Sequence, residues 1–142
     1  MWYYNREEFT EQMIGEAIGF VYIIKVTING EPKFYIGKKN FYSNRKVKLG
    51  KREEELRTDK RTKTYKVVRK LDYQNYHSSN HVLKQAYKDG IPMKRAILKL
   101  CYSKLDLTYY ETKYLFSMNA LESETYLNDN ILGKFFKRHE KV

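Results

Sequence analysis

Two apolar, β-prone runs, residues 19–28 and 33–38, flank Asn29-Gly30, and no other feature of the chain restricts the fold so tightly. Both turn residues tolerate positive φ, the requirement of the two-residue type I′ turn that joins antiparallel strands. Gly19-Phe20-Val21-Tyr22-Ile23-Ile24 therefore pairs with Phe34-Tyr35-Ile36-Gly37-Lys38-Lys39 in a hairpin. Pro32 stands at the start of the second strand, where a missing N–H does little harm. Each strand brings a tyrosine, Tyr22 and Tyr35, and Arg45 follows ten residues after the second.

The rest of the chain supplies flanking elements. Phe9, Met13 and Ala17 have helical spacing and predict a short helix over 7–16. Asn80 or Ser79 can cap a helix that runs to Lys88 and is stopped by Asp89-Gly90. Residues 94–102 read as a third strand with Ala96, Leu98 and Leu100 on one face. Asp106 or Thr108 opens a helix through Leu121, and a short basic helix is expected over 131–137. The sum is an α/β (α+β) domain: a small, three-stranded, mainly antiparallel sheet flanked by helices. At 142 residues the chain is expected to be one domain, with no internal repeat and no linker.

Charge narrows the partner. The chain carries a net +11, and lysine and arginine gain by releasing counterions from a polyanion, most often nucleic acid. Twelve basic and four acidic residues put +8 of that excess into residues 45–70. Apolar residues are sparse there, so the segment reads as a basic insertion, largely a solvated loop with a helical piece at 53–57. The nucleic-acid contacts expected are Lys38, Lys39, Lys46, Lys51, Arg52, Arg57, Arg61, Lys63 and Lys134, with His77 and Ser78 from the Tyr76-His77-Ser78-Ser79 turn. The same balance suits a ribosome-associated or membrane-surface protein. Cys101 is the single cysteine, which excludes an intrachain disulfide and a cysteine-rich zinc site. His77 and His81 have the spacing of a metal pair, but Ser78-Ser79-Asn80 between them reads as a turn and cap. With no membrane span and no apolar signal core, the protein is expected in the cytoplasm.

Tyr22, the intact Tyr35-Ile36-Gly37, Arg45 and the segments that follow together resemble the GIY-YIG nuclease family. They are most similar to its small bacteriophage-encoded and homing-type endonucleases. The first motif, Phe20-Val21-Tyr22, keeps the tyrosine and has phenylalanine at the family's glycine. The resemblance implies a metal-dependent endonuclease acting on DNA, with core motif 19–45 and a metal-ligand helix at about 106–121. Phosphodiester hydrolysis needs an activated water, counter-charge for the phosphorane and help for the leaving oxygen, and one divalent cation serves the last two. Glu111 would hold that single ion, Mg²⁺ or Mn²⁺. Tyr22 would take the proton of the attacking water, Tyr35 would orient water or phosphate, and Arg45 would neutralise developing charge. Gly37 and Asn128 would be structural near the site, with Asn130 the alternative to Asn128. Taken without the resemblance, Glu111 reads as an ordinary helix-surface glutamate and either tyrosine as a core aromatic.

One site and one metal would give a nick, so cutting both strands would take a second copy, as in a homodimer, or a repositioning step, and an accessory protein would be a source of specificity. The family's separate DNA-binding tail does not fit in the residues after Asn128, which leaves recognition to the basic segment and the terminal helix. The alternative is a non-catalytic DNA- or RNA-binding module on the same scaffold, stacking bases on its aromatics.

Overall fold

The computed structural model describes residues 1–48, 50 and 64–138. Its main sheet has five strands: β1 (Trp2–Tyr4), β2 (Glu7–Glu8), β3 (Gly19–Ile28), β4 (Glu31–Asn40) and β7 (Met93–Cys101). They lie in the order β2-β1-β7-β3-β4. The pairing is antiparallel except between β1 and β7. β5 (Tyr42–Lys48) and β6 (Thr64–Lys70) form a separate two-stranded ribbon. Helix α1 (His81–Lys88) precedes β7, helix α2 (Lys104–Ser117) follows it, and β8 (Asn130–Ile131) and β9 (Phe135–Phe136) make a small hairpin.

The expected hairpin is present. Asn29 and Gly30 have φ of 53° and 79°, and ten residue pairs register β3 against β4, Tyr22 facing Gly37 and Ile24 facing Tyr35. β3 reads as a nearly continuous apolar run because both of its faces are covered. Phe20, Tyr22, Ile24 and Val26 pack with Trp2, Phe9, Phe41, Tyr73 and Leu83 on one face. Val21 on the other meets Ile36, Cys101 and the α2 residues Leu107 and Leu115. Burying each of these large side chains contributes about 1.5–3 kcal/mol.

The three expected strands, β7, β3 and β4, are neighbours in the sheet, which β1 and β2 extend on the β7 side, and the α+β class holds. Several details differ. Residues 7–16 are β2 and a 3₁₀ turn at Glu11–Met13 instead of a helix. Asn5 and Arg6, with φ of 51° and 68°, fold the chain back on β1, and Phe9 N–H donates to Trp2 O at 2.8 Å. Ala96, Leu98 and Leu100 do not share one environment. Val21 pairs with Lys99 and Tyr22 with Ile97, so Leu98 is the extra residue of a β-bulge. Leu98 consequently packs on the α2 side and Leu100 with the aromatic cluster.

Helix α2 starts earlier than expected. Ser103 is its cap, accepting from Asp106 N–H at 3.1 Å, and the helix ends at Ser117. Asn80 caps α1 as expected, its Oδ1 accepting from Val82 and Leu83 N–H. Residues 131–137 are hairpin instead of helix, because Leu132 and Gly133 turn with φ of 59° and 66°. Both ends of the basic insertion are strands where a solvated loop was expected, and its helical piece at 53–57 lies outside the described residues.

Candidate active site at the edge of the sheet

β4 is an edge strand, and the candidate residues gather around that edge from both faces of the sheet. The register puts Tyr22, Tyr35 and Lys39 on one face and Lys38 on the other, towards α2. The hydroxyl of Tyr22 is hydrogen-bonded to those of Tyr76 and Ser78, and Ser78 also bonds Tyr35. Four hydroxyls thus form one chain, Tyr76–Tyr22–Ser78–Tyr35. Burial drives the Tyr22 phenol far above the ordinary tyrosine range, with the neighbouring Tyr76 adding to the effect. Burial also raises Tyr35, partly offset by its bond to Ser78. In the free protein both tyrosines are phenols at neutral pH.

Gly37 has a steric reason to be glycine. A Cβ there would lie 2.5 Å from the Tyr22 hydroxyl oxygen, so the phenol rests on the bare backbone of the facing strand. Phe20, at the first motif's glycine position, is fully buried with its ring centroid 5.0 Å from those of Trp2 and Phe41. It fills the aromatic core behind the tyrosines.

Glu111 approaches from α2. It lines a polar cavity of about 190 Å³ together with Tyr35, Asn80, Asn128, Asp129 and Asn130. Burial raises its carboxyl above the usual range, and the Lys38 ammonium partly offsets this. Lys38 itself donates to Thr108 Oγ1 at 3.0 Å. Among the described residues no group of three or more His, Cys, Asp or Glu could cage a metal. One half-buried carboxylate amid amide and carboxylate oxygens instead fits a hard cation that keeps most of its waters.

Asn128 is buried and holds the β4 edge. Its Nδ2 donates to Ile36 O at 2.8 Å and its Oδ1 accepts from Ile36 N–H at 3.0 Å. Two residues earlier on β4, Phe34 N–H and O bond Thr125 O and Leu127 N–H. The side-chain amide of Asn128 continues that ladder where the backbone leaves it. Asn130 lines the cavity without this role.

The remaining expected residues scatter. Lys39 Nζ stands 4.4 Å over the Tyr76 ring, beside the hydroxyl chain. Ser78 was expected to meet phosphate, but it is only 4% exposed and its hydroxyl turns inward to the tyrosines. His77 stacks on Tyr87 with centroids 4.0 Å apart and lines a different cavity, with Arg95 and Pro92. Lys134 is exposed in the β8–β9 turn. Arg45 is on β5 opposite Val67 and Lys46 is next to it; their side chains lie outside the described residues, as do Lys51, Arg52, Arg57, Arg61 and Lys63.

Sequence reasoning missed Tyr76. Its signal was an aromatic inside the polar turn Gln74-Asn75-Tyr76-His77-Ser78, immediately before a helix cap. Ser78 also has φ of 80°, a strained conformation for a non-glycine residue, of the kind found at functional sites.

A β-hairpin carrying two tyrosines, a helix bringing one carboxylate to its edge and an asparagine closing that edge thus stand together at one site. The family model described as "Putative endonuclease segE, GIY-YIG domain" matches residues 2–131. The chain belongs to this GIY-YIG endonuclease family. No curated protein and no solved structure matches it.

Proposed function

We propose that the protein hydrolyses DNA phosphodiester bonds with one divalent cation, Mg²⁺ or Mn²⁺, held by Glu111. The observation that carries this reading is the meeting of Glu111 and Tyr35 in one polar cavity at the edge of β4. Tyr35 joins that cavity to the hydroxyl chain centred on Tyr22. When bound, the cation would supply Lewis acidity and positive charge at the scissile phosphate. Water bound beside Tyr35 gives its proton into the hydroxyl chain. Tyr22 takes a proton from Ser78 as its own passes to Tyr76, and the half-buried Tyr76 releases one to solvent, so every hydroxyl ends neutral and no phenolate forms in the buried site. Lys39 Nζ stands over the Tyr76 ring at that end of the chain. Arg45, on the strand that continues from β4, supplies counter-charge to the phosphoryl oxygens.

Incubation with supercoiled plasmid in Mg²⁺, Mn²⁺ or EDTA tests this reading, beside the Glu111→Gln variant. Metal-dependent nicking that the variant lacks supports it. DNA binding without cleavage under every condition would favour the non-catalytic module.

A further inference from the structure

Neither strand of the β5–β6 ribbon joins the main sheet. Its sequences, Tyr42-Ser-Asn-Arg-Lys-Val-Lys48 and Thr64-Tyr-Lys-Val-Val-Arg-Lys70, hold six basic residues and no acidic one. The register sets Lys46 opposite Lys66, with Lys48 opposite Thr64 and Asn44 opposite Val68 two steps to either side. Like charges directly opposite one another weaken a ladder, and an isolated two-stranded ribbon is marginal in water. Val67, Val68, Arg69 and Lys70 are all exposed, Val68 to 62%. Such a ribbon gains most from a polyanion laid along it.

The ribbon's two feet are attached to the site. β5 leaves from β4, which carries Tyr35, Gly37 and Lys39, through Phe41. β6 returns through Leu71, whose N–H donates to Phe41 O at 2.8 Å, into the turn bearing Tyr76 and Ser78. A polymer held by the ribbon is thereby delivered to the edge of β4.

We propose that the β5–β6 ribbon docks in the major groove of duplex DNA, placing the adjoining backbone at the Tyr35–Glu111 cavity. The proposal rests on the nuclease reading for the identity of the polymer. The major groove of undeformed B-form DNA, about 12 Å wide, admits a two-stranded ribbon, whereas the minor groove, about 6 Å wide, must first be widened at a cost in deformation energy. The deep, narrow major groove of duplex RNA excludes the ribbon.

The test measures binding in EDTA, by fluorescence anisotropy, to a 20-base-pair (about two helical turns) DNA duplex and to the RNA duplex of the same sequence. The wild type is compared with Lys46→Gln/Lys48→Gln/Lys66→Gln and with the charge-keeping triple arginine variant, each checked for folding by circular dichroism. The glutamine variant should lose about tenfold or more in DNA affinity and about 0.9 in salt slope for each phosphate contact removed. The arginine variant should bind like wild type. Methyl green, a major-groove ligand, should compete, and netropsin, a minor-groove ligand, should not. Unchanged affinity in the glutamine variant, competition by netropsin, or equal affinity for duplex RNA would each overturn the proposal. The nuclease reading fails separately: ribbon-dependent DNA binding with no cleavage in any metal would refute that reading and leave the ribbon standing.

Discussion

The phenol of Tyr22 lies on the bare backbone of Gly37, close enough that a β-carbon at residue 37 would come within 2.5 Å of its oxygen. The pair faces across β3 and β4, so the glycine of the second motif makes room for the tyrosine of the first. Gly37→Ala should push the Tyr22 ring from its place and break its bonds to Tyr76 and Ser78. We expect a loss of about 1–3 kcal/mol in stability, as for other overpacked cores, and loss of nicking in the surviving folded protein. Denaturant unfolding and the plasmid assay check both. Wild-type nicking by a stably folded Gly37→Ala protein would show that the Tyr22 position is not required.

Asn128 supplies both partners of Ile36 on the outer edge of β4. Asn128→Ala should leave a buried N–H and a buried carbonyl unpaired, each at about 1–3 kcal/mol. Asn128→Asp retains the acceptor but turns a buried carboxylate oxygen onto the Ile36 carbonyl, so near neutral pH it should be no more stable than alanine. Urea unfolding would rank the three. Equal stability for all three would mean that water replaces the amide without loss.

Much of this arrangement was legible because its residues obey short-range rules. Asn29-Gly30 could hardly be other than a hairpin turn, and Asn80 caps α1 as its place before the helix implied. The failures are places where distant contacts decide. Trp2-Tyr3-Tyr4 is too short to announce a strand and becomes one by pairing with β7, with Trp2 Nε1 donating to Tyr73 O at 2.8 Å. The bulge at Leu98 reverses which face the later residues of β7 occupy, and no local pattern marks it. The ribbon strands are poor in apolar residues and so show no alternation. The site divides in the same way: Tyr22, Tyr35 and Glu111 came from a motif and a helix, whereas Tyr76 and the inward turn of Ser78 depend on a loop's path.

Ser78 combines two costs that can be separated. Its φ of 80° strains any residue but glycine, and its hydroxyl ties Tyr22 to Tyr35. Ser78→Ala and Ser78→Gly both remove the hydroxyl, and only glycine relieves the backbone. The glycine variant should be more stable than the alanine variant by about 1 kcal/mol, while both lose nicking alike. Nicking that instead followed stability would make Ser78 a purely structural residue.

Glu111 should leave a signature in metal-free buffer. Burial raises its carboxyl in the folded protein, so folding favours the protonated form. That contribution is fully present below the unfolded carboxylate range, about pH 4, and is lost as pH rises through the folded value. In EDTA, Glu111→Gln should therefore melt higher than wild type at pH 7, with the difference closing towards pH 4. Added Mg²⁺ should raise the wild-type Tm by mass action and leave the variant unmoved. A wild type that ignores Mg²⁺ across the millimolar range would count against Glu111 as the ligand.

Lys137 was expected to end a basic helix, and it instead locks the chain beneath the site. Its Nζ donates to the carbonyls of Ala120, Ser123 and Tyr126 at 2.9, 2.6 and 2.6 Å. These carbonyls belong to the segment between α2 and the edge-closing residues 125–128. Burial lowers the pKa of the ammonium, so desolvation is a real cost that the three charge-assisted bonds must exceed. Lys137→Met keeps the length of the side chain and removes every donor. It should cost about 2 kcal/mol or more, and the loss should extend to Asn128, because the segment that presents it is no longer held. Hydrogen exchange at the Ile36 amide reads that link directly. Faster exchange there in Lys137→Met, under conditions where the β3–β4 amides near Asn29 keep their protection, would establish that this lysine holds the wall of the cavity in place. Unchanged exchange at Ile36 would confine its role to the C-terminal hairpin.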